Sequence, residues 1–143
     1  MPREKSCGAV VFKKNTTTLY LLLHYASGHW DFVKGQVEAN ESEKETVMRE
    51  LKEETGIEGA DFVGDFREEI NYFYRRRDTT IFKKVTYFLV QSHTSEVKLS
   101  YEHVAYVWLN YRKAIERLTF KNARNVLKKA HTFLKSVESV GQT

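Results

Sequence analysis

Residues Gly35 to Ile57 read GQVEANESEKETVMRELKEETGI and carry the strongest local signals in the chain. Asn40 and Glu43 stand three residues apart ahead of an amphipathic pattern, which predicts a helix that begins with a capping box. Gly56 predicts the end of that helix, because glycine readily adopts the left-handed conformation that follows a helix. The predicted helix therefore extends from Asn40 to about Thr55.

Three glutamates of this helix point to metal chemistry. Glu50, Glu53 and Glu54 stand at positions i, i+3 and i+4, so their carboxylates lie on one side of the helix. Like charges at this spacing cost roughly 0.2–0.5 kcal/mol per pair in an isolated helix, and a hard divalent cation such as Mg²⁺ or Mn²⁺ offsets that repulsion. The adjacent Arg49 can orient a carboxylate, and Gly35 lets the loop backbone approach closely and offer its carbonyl oxygen.

The rest of the chain alternates strands and helices. Apolar and β-branched runs predict strands, and the 3.6-residue period that follows Tyr111 predicts a long amphipathic helix. The predicted strands are Cys7–Phe12, Thr18–Tyr25, Phe62–Tyr74, Lys83–Gln91 and Val104–Leu109. The order β-β-α-β-β-β-α predicts one α/β-type (α+β) domain with a mixed sheet, extending over residues 1–143.

The composition excludes several classes of protein. With 143 residues, 41% hydrophobic residues and one proline, the chain is neither collagen-like nor intrinsically disordered. Its apolar runs are too short for a membrane span and its first residues lack the apolar core of a secretory signal, so we expect no membrane contact. The lone Cys7 cannot form an internal disulfide, which favours a reducing compartment. We therefore expect a cytoplasmic protein. We also expect a monomer, although no feature of the sequence specifies the oligomeric state.

Charge is distributed unevenly along the chain. The formal net charge is +4, yet residues 38–58 contain eight glutamates. Basic residues collect elsewhere, in residues 75–77, 83–84 and 121–129. An acidic segment inside a basic protein indicates metal cations beside an anionic ligand, although a solvated acidic helix and an unrelated basic face would produce the same pattern.

The stretch from Gly35 to Ile57 resembles the signature of the Nudix hydrolases. The pattern Gly-x5-Glu-x7-Arg-Glu-Leu-x-Glu-Glu-x-Gly-Ile is filled at every specified position. The resemblance implies a Nudix fold, which is an α-β-α sandwich around a mixed β-sheet. It also implies hydrolysis of a nucleoside diphosphate linked to another group, with Mg²⁺ or Mn²⁺ and with attack of a metal-activated water on phosphorus.

The resemblance further implies roles for individual residues of the motif. Glu50, Glu53 and Glu54 are the implied metal ligands, together with the carbonyl oxygen of Gly35. Glu54, Glu50 and Arg49 are the implied catalytic residues. The sequence does not separate a metal ligand from a general base within one cluster, so Glu54 and Glu50 both stay open as the base.

Outside this motif the chain resembles one branch of the family, the asymmetrical diadenosine tetraphosphate (Ap4A) hydrolases. The resemblance extends from about residue 5 to residue 134 and implies a dinucleoside polyphosphate substrate that is split into ATP and AMP. It also implies Glu102 as an additional metal ligand. The matching segments are Cys7-Gly8, Tyr20-Leu-Leu-Leu23, His29-Trp30, Lys34-Gly35, Glu69-Ile-Asn71-Tyr72, Lys83 with Val85 and Tyr87, Ser100-Tyr-Glu102-His103, Ala105-Tyr106 with Trp108-Leu109, and Phe120-Lys121.

The same branch implies how the substrate is bound. His29, Lys34 and Lys83 are the implied contacts of the phosphate chain, and a lysine beside a polyphosphate acts as a compact point charge. Tyr72 and Phe120 are the implied stacking partners of an adenine ring. Both aromatic residues are also compatible with simple packing in the core.

The chain departs from that branch in three places. Val33 and the pair Ala39-Asn40 stand where the branch commonly has proline and Pro-Gly, and the basic turn with residues 75–77 is longer than expected. We therefore expect the far end of the substrate to be bound differently.

Two other functions stay open. One is hydrolysis of 5′-triphosphorylated RNA, of nucleoside triphosphates or of nucleotide sugars, with nucleic acid as a partner in the first case; the other is nucleotide binding without turnover.

Overall fold

A computed structural model describes residues 1–141 as one mixed sheet with helices on both of its faces. The sheet contains seven strands, and three helices accompany it. The strands are β1 (Arg3–Lys14), β2 (Thr18–Tyr25), β3 (Trp30–Asp31), β4 (Val33–Gln36), β5 (Asp61–Arg76), β6 (Thr79–Gln91) and β7 (His103–Leu109). The helices are α1 (Glu43–Thr55), α2 (Tyr111–Arg117) and α3 (Lys121–Gly141).

The order of the strands makes β1 central. The strands follow the order β3-β2-β1-β6-β5, while β4 pairs with β1 and β7 pairs with β2. β1 and β6 are parallel, in a register that runs from Arg3 opposite Phe82 to Phe12 opposite Gln91. The other strand pairs are antiparallel. The prediction of a mixed sheet is therefore confirmed for the described residues.

Different helices cover the two faces of the sheet, because the side chains of a strand alternate between its faces. Val10 and Phe12 of β1 belong to a core that α2 and α3 cover, whereas Cys7, Ala9 and Val11 belong to a core that α1 covers. All five side chains are at most 2% exposed. The expected α-β-α sandwich is therefore confirmed.

The start of α1 differs from the prediction. Ser42, not Asn40, is the N-cap: its hydroxyl accepts a hydrogen bond from the Glu45 amide at 3.1 Å, and the Glu45 carboxylate accepts one from the Ser42 amide at 2.8 Å. Asn40 has a φ of 70° and lies in the turn before the helix. A cap residue with a glutamate three positions later occurs twice here, at 40/43 and at 42/45, so the sequence pattern did not identify the true start.

The other predicted elements are present with changed bounds. α1 ends as predicted, because Gly56 adopts a φ of 74° and its amide donates to the Lys52 carbonyl at 2.9 Å. The five predicted strands are confirmed, and β5 and β6 form a longer hairpin than predicted. The short elements β3, β4 and α2 were not predicted, because segments of this length show little periodicity. No helix within residues 1–141 is both long and apolar enough to cross a membrane.

Ser42→Ala tests the revised start of α1. Loss of the hydroxyl leaves the Glu45 amide without its capping acceptor, so we expect the free energy of unfolding to fall by about 1 kcal/mol. Ser42→Asp keeps an oxygen acceptor at the cap and should restore most of that loss. Urea denaturation followed by circular dichroism measures both variants. Equal stability of Ser42→Ala and the unaltered protein would show that the capping box contributes nothing.

Candidate active site

Glu54 is a nearly fully buried carboxylate in the last turn of α1. Its exposed fraction is 3%. Its Oε2 atom accepts a hydrogen bond from the backbone amide of Lys34 at 3.2 Å, which joins α1 to β4. Burial raises the pKa of Glu54 to about 9, and the nearby charges of Glu50 and Glu102 add to this shift. A carboxylate in this environment is strongly driven to bind a proton or a cation.

The guanidinium group of Arg49 organises the acidic side chains of this region. Its Nε and Nη2 atoms donate to both carboxylate oxygens of Glu41, at 2.6 and 3.0 Å. Its Nη1 atom donates to Glu50 at 2.6 Å and to Glu53 at 3.1 Å. The hydrogen bonds to Glu41 raise the pKa of Arg49 above its ordinary value. Arg49 therefore orients carboxylates that would otherwise repel one another.

Glu50 lies against Gly35, and this contact explains the glycine. A Cβ atom at position 35 would collide with the Glu50 carboxyl group. The Glu50 side chain is 13% exposed. Burial raises the pKa of Glu50 above its ordinary value, although the Arg49 guanidinium opposes the shift. The missing side chain at Gly35 therefore leaves room for a carboxylate beside the backbone of β4.

The segment 92–102 brings two further side chains to Glu54. Two backbone hydrogen bonds, of 2.8 and 3.3 Å, hold this segment against the last turn of α1. Glu102 ends the segment, and His103 begins β7. One ligand atom from each of Glu54, Glu102 and His103 lies within 4.8 Å of the others. The tertiary structure therefore places a carboxylate and an imidazole next to the glutamates of α1.

This group of side chains fits a divalent cation. Within residues 1–141, Oε1 of Glu54 and Nε2 of His103 are buried without a hydrogen-bond partner; they lie 3.4 Å apart but are poorly aligned. Burial lowers the pKa of His103, so its ring is neutral at about pH 7 and its unpaired nitrogen is free to bind a metal ion. Unpaired donor atoms beside the carboxylates of Glu50 and Glu102 form an oxygen-rich set that suits Mg²⁺ or Mn²⁺.

A cavity of about 620 Å³ is lined by Lys34, whose backbone amide donates a hydrogen bond to Glu54. All five predicted substrate-binding residues line it, although they come from different strands and loops. These residues are His29, Lys34, Tyr72, Lys83 and Phe120. The tertiary structure thus brings the predicted set together, while the roles of its members in binding stay predictions.

Lys34 connects the cavity to the carboxylates. Its backbone amide donates a hydrogen bond to the Glu54 carboxylate, and its Nζ atom donates one to the Asp31 carboxylate at 3.1 Å. Burial lowers the pKa of Lys34, but Asp31 and Tyr72 raise it by more, so the net pKa lies above the ordinary value. The Nζ atom also lies 6.0 Å from the centroid of the Tyr72 ring. Lys34 is therefore a permanently charged ammonium group in the cavity wall.

Aromatic rings form another part of the cavity wall. His29 stacks on Tyr25 with ring centroids 4.6 Å apart, and its ring lies 5.3 Å from that of Phe120. Burial lowers the pKa of His29, so its ring is neutral near about pH 7. Phe120 is 50% exposed, whereas Tyr72 is partly buried against the core. The exposed ring of Phe120 is available to stack on a planar ligand.

Sequence reasoning missed four residues of this region. Asp31 is buried and pairs with a cavity lysine, and the Tyr87 hydroxyl is buried at the cavity without a partner among the described residues. Glu41 is the bidentate partner of the motif arginine, and His103 joins the carboxylates. Glu41 and His103 stand inside the quoted motifs, which was the available signal. Tyr87 belongs to the residues that carry the resemblance to the Ap4A hydrolases, although no role was implied for it, whereas Asp31 lies in a short strand and gave no signal of its own.

Two predicted features lie at the edge of this centre. The Glu53 side chain is 58% exposed and contacts Arg49 rather than the group formed by Glu54, Glu102 and His103. Its role as a metal ligand stays a prediction. The basic residues 75–77 are exposed at the end of the β5–β6 hairpin.

Comparison with known proteins assigns the family. A family model described as NUDIX domain matches residues 2–130. The chain is 36% identical to the asymmetrical bis(5′-nucleosyl)-tetraphosphatase of Mus musculus, covering 91% of this chain and 95% of that protein. It is 31% identical to the enzyme of the same name from Caenorhabditis elegans, covering 91% and 96%. A crystal structure of C. elegans Ap4A hydrolase in a binary complex matches with a TM-score of 0.82 and 29% identity, covering 93% of this chain and 98% of that chain.

The chain therefore belongs to the Nudix family, and its sandwich is the Nudix fold. Its relatives are named as bis(5′-nucleosyl)-tetraphosphatases, which makes it a Nudix pyrophosphohydrolase. Nudix hydrolases generally use divalent metal ions, and the group formed by Glu54, Glu102 and His103 is able to bind one.

The stability of the metal-free protein should fall as the pH rises. The ordinary pKa of a glutamate is 4.5, whereas the folded state raises the pKa of Glu54 to about 9. Between these values the folded state holds a proton that the unfolded state has released, so the free energy of unfolding decreases with increasing pH. After metal ions have been removed with a chelator, we expect the urea concentration at the unfolding midpoint to be lower at about pH 8.5 than at about pH 7. Histidines contribute little in this pH range.

Glu54→Gln should remove most of this slope, because an amide does not titrate in this range. Glu53→Gln is the matched control, since its side chain is 58% exposed on the same helix and its removal should leave the slope in place. An unchanged slope in Glu54→Gln would show that another group holds the proton.

Proposed function

We propose that this protein hydrolyses bis(5′-adenosyl) tetraphosphate asymmetrically, to ATP and AMP, with Mg²⁺ as its metal ion. The observation that carries the proposal is a cavity with lysines and aromatic rings in its wall, which the backbone amide of Lys34 joins to the buried carboxylate of Glu54. The likeness to enzymes named for this activity, over nearly their whole length, supports the choice of substrate. We further propose that the enzyme acts as a cytoplasmic monomer, since its lone and buried Cys7 is typical of a reducing compartment.

The cavity supplies cations for the phosphate chain. Lys34 and Lys83 line the same cavity, and the Lys34 amide also bonds Glu54. A phosphate held by the Lys34 ammonium group therefore lies close to the carboxylates that perform the reaction. His29 adds a ring N–H donor to the same wall.

The size of the cavity supports the proposal of an asymmetric reaction. At about 620 Å³ it matches a typical small-molecule site, with room for one nucleoside and part of the phosphate chain. Phe120 and Tyr72 stack on the adenine of that nucleoside. The reacting phosphorus is then held near one end of the phosphate chain, so cleavage there gives ATP and AMP rather than two molecules of ADP.

Glu50 and Glu102 would hold the metal ion, with Glu53 and the Gly35 carbonyl as further ligands, and Glu54 would stand beside them as the base. When bound, Mg²⁺ supplies charge for the phosphate oxygens and lowers the pKa of the attacking water. Glu54 would take up the proton of the attacking water at Oε1, the oxygen that has no hydrogen-bond partner among the described residues.

Glu50 and Arg49 support this assignment of the base. The Glu50 carboxylate already accepts a hydrogen bond from Arg49 at 2.6 Å, which makes it a weaker proton acceptor than Glu54. Arg49 contacts the carboxylates and does not line the cavity. It therefore acts as a positioning residue for the glutamates rather than as a contact of the substrate.

Hydrolysis of the 5′ end of RNA is the second candidate function. The exposed basic residues 75–77 at the end of the β5–β6 hairpin, together with an isoelectric point near 9.1, favour contact with a nucleic-acid backbone. The carboxylate chemistry would be the same, and only the ligand beyond the first nucleoside would differ.

Incubation with Ap4A and Mg²⁺ in ¹⁸O-labelled water tests the proposed reaction. We expect ATP and AMP in equal amounts, and the labelled product identifies the phosphorus that was attacked. Glu54→Gln should lower kcat by about 10²- to 10⁴-fold, the usual contribution of a general base. Glu58→Gln is the control, because this carboxylate is 67% exposed and pairs with Lys52 outside the site.

The products decide between the candidates. Two molecules of ADP would contradict the asymmetric reaction. Intact Ap4A would contradict the substrate, and the same assay with 5′-triphosphorylated RNA would then test the second candidate.

Phe120→Ala tests the proposed stacking on adenine. Stacking on an aromatic ring contributes about 1–3 kcal/mol per base, so we expect KM for Ap4A to rise roughly tenfold while kcat changes little. Phe120→Tyr should retain most of the affinity. Tyr101→Ala is the matched control, because Tyr101 is 92% exposed and does not line the cavity. An unchanged KM in Phe120→Ala would place the adenine elsewhere.

A further inference from the structure

Glu4 contacts three side chains of the β5–β6 hairpin. Its Oε1 atom accepts hydrogen bonds from the Tyr74 hydroxyl and from Nζ of Lys83, the latter at 3.3 Å. Its Oε2 atom accepts one from Nη2 of Arg76 at 2.8 Å. Tyr74 and Lys83 line the cavity, whereas Glu4 does not. Glu4 therefore lies behind the cavity wall and holds part of it.

The register of the sheet creates these contacts. β1 and β6 are parallel, with Glu4 and Lys83 as direct partners, and Tyr72 of β5 is the partner of Lys83 on the other side. Tyr74 follows Tyr72 by two residues and so lies on the same face of the sheet. The Glu4 carboxylate is thus fixed to Lys83 through neighbouring strands rather than through a loop.

The ion pair of Glu4 and Lys83 is shielded from solvent. The two side chains are 14% and 12% exposed, and Glu4 is the one carboxylate that pairs with Lys83 among residues 1–141. The Tyr74 hydrogen bond is the main cause of a lowered pKa of Glu4, so Glu4 is charged at neutral pH. Burial lowers the pKa of Lys83, and the charge of Glu4 opposes that shift.

We propose that Glu4 is a positioning residue for substrate binding, which holds the Lys83 ammonium group in the cavity wall so that it meets the phosphate chain. Tyr74 and Arg76 brace the Glu4 carboxylate from its other side. The inference rests on the proposed role of Lys83 as a phosphate contact.

The sign of the effect separates positioning from simple charge. A carboxylate near a polyphosphate repels it, so loss of the charge alone would strengthen the binding of an anion. Loss of positioning leaves the Lys83 ammonium group without a fixed direction and weakens binding. A variant at Glu4 that binds polyphosphate less tightly, despite its lost negative charge, is therefore evidence for positioning.

Binding of ATP in metal-free buffer, measured by isothermal titration calorimetry, tests the proposal without turnover. Glu4→Gln keeps the length of the side chain and removes its charge, whereas Glu4→Asp keeps the charge and withdraws it by one methylene. We expect each to raise the Kd for ATP roughly fivefold, as for the loss of one hydrogen bond. In hydrolysis assays, KM for Ap4A should rise in the same proportion with kcat unchanged.

Glu69→Gln is the matched control. Glu69 lies in β5 on the face opposite to Tyr72, and it pairs with Lys84 at 3.5 Å. Its substitution removes the same charge from the same hairpin without touching Lys83. We expect its Kd for ATP to stay unchanged or to fall slightly.

Lys83→Met supplies a double-mutant cycle. If Glu4 acts through Lys83, Glu4→Gln has no further effect on ATP binding in the Lys83→Met background. Three results would overturn the proposal: ATP binding by Glu4→Gln and Glu4→Asp as tight as that of the unaltered protein, equal weakening in both backgrounds, or no binding of ATP by the unaltered protein. Thermal melts show that each variant tested is folded.

ATP binding also keeps this inference separate from the proposed substrate. A protein that leaves Ap4A intact but binds ATP through Glu4 and Lys83 supports the inference and contradicts the proposed reaction. A protein that hydrolyses Ap4A with a KM independent of Glu4 does the reverse.

Discussion

The desolvation of one carboxylate, that of Glu54, is the constraint on which the rest of the site depends. Three parts of the fold converge on this side chain: the body of α1, the backbone of β4 and the segment 92–102. Together they exclude solvent, so that Glu54 is 3% exposed and its pKa rises to about 9. A carboxylate that is buried in this way strongly prefers to bind a proton or a cation. Arg49 pairs with the neighbouring carboxylates of Glu41 and Glu50 and so offsets their mutual repulsion.

The cavity follows a second principle, in which two of its three lysines, Lys34 and Lys83, are held by internal carboxylates. Lys34 pairs with Asp31 at 3.1 Å, and Lys83 pairs with Glu4 at 3.3 Å. A free lysine side chain loses considerable rotamer freedom when it binds a ligand. Pairing inside the protein fixes the ammonium groups in advance, so an anionic ligand meets charges that are already ordered. The ammonium groups of Lys34 and Lys83 are therefore positioned in the cavity wall before a ligand binds.

The local sequence determined the chemistry and the element types. The spacing of Glu50, Glu53 and Glu54 fixes their common side through helix geometry alone, whatever the helix packs against. Gly56 fixed the end of α1, and alternation identified the main strands, because both signals are carried by neighbours in the chain. The resemblance to Nudix hydrolases then named the cavity residues without showing their positions. The prediction that α1 starts at Asn40 was wrong, because two overlapping capping patterns occur in the same stretch and the local pattern does not distinguish them.

Contacts between side chains that are far apart in the chain depend on how the strands pair. Glu4 and Lys83 are separated by 79 positions in the chain, and the parallel register of β1 and β6 makes them partners. A slip of one residue in that register would turn Glu4 to the other face of the sheet, and nothing in the local sequence fixes the register. Asp31 and His103 reached the site in the same way, through the pairing of β3 and β7 with β2. The reacting groups were therefore predictable from the chain, because their spacing is local, whereas the side chains that surround and orient them depend on strand pairing over long separations.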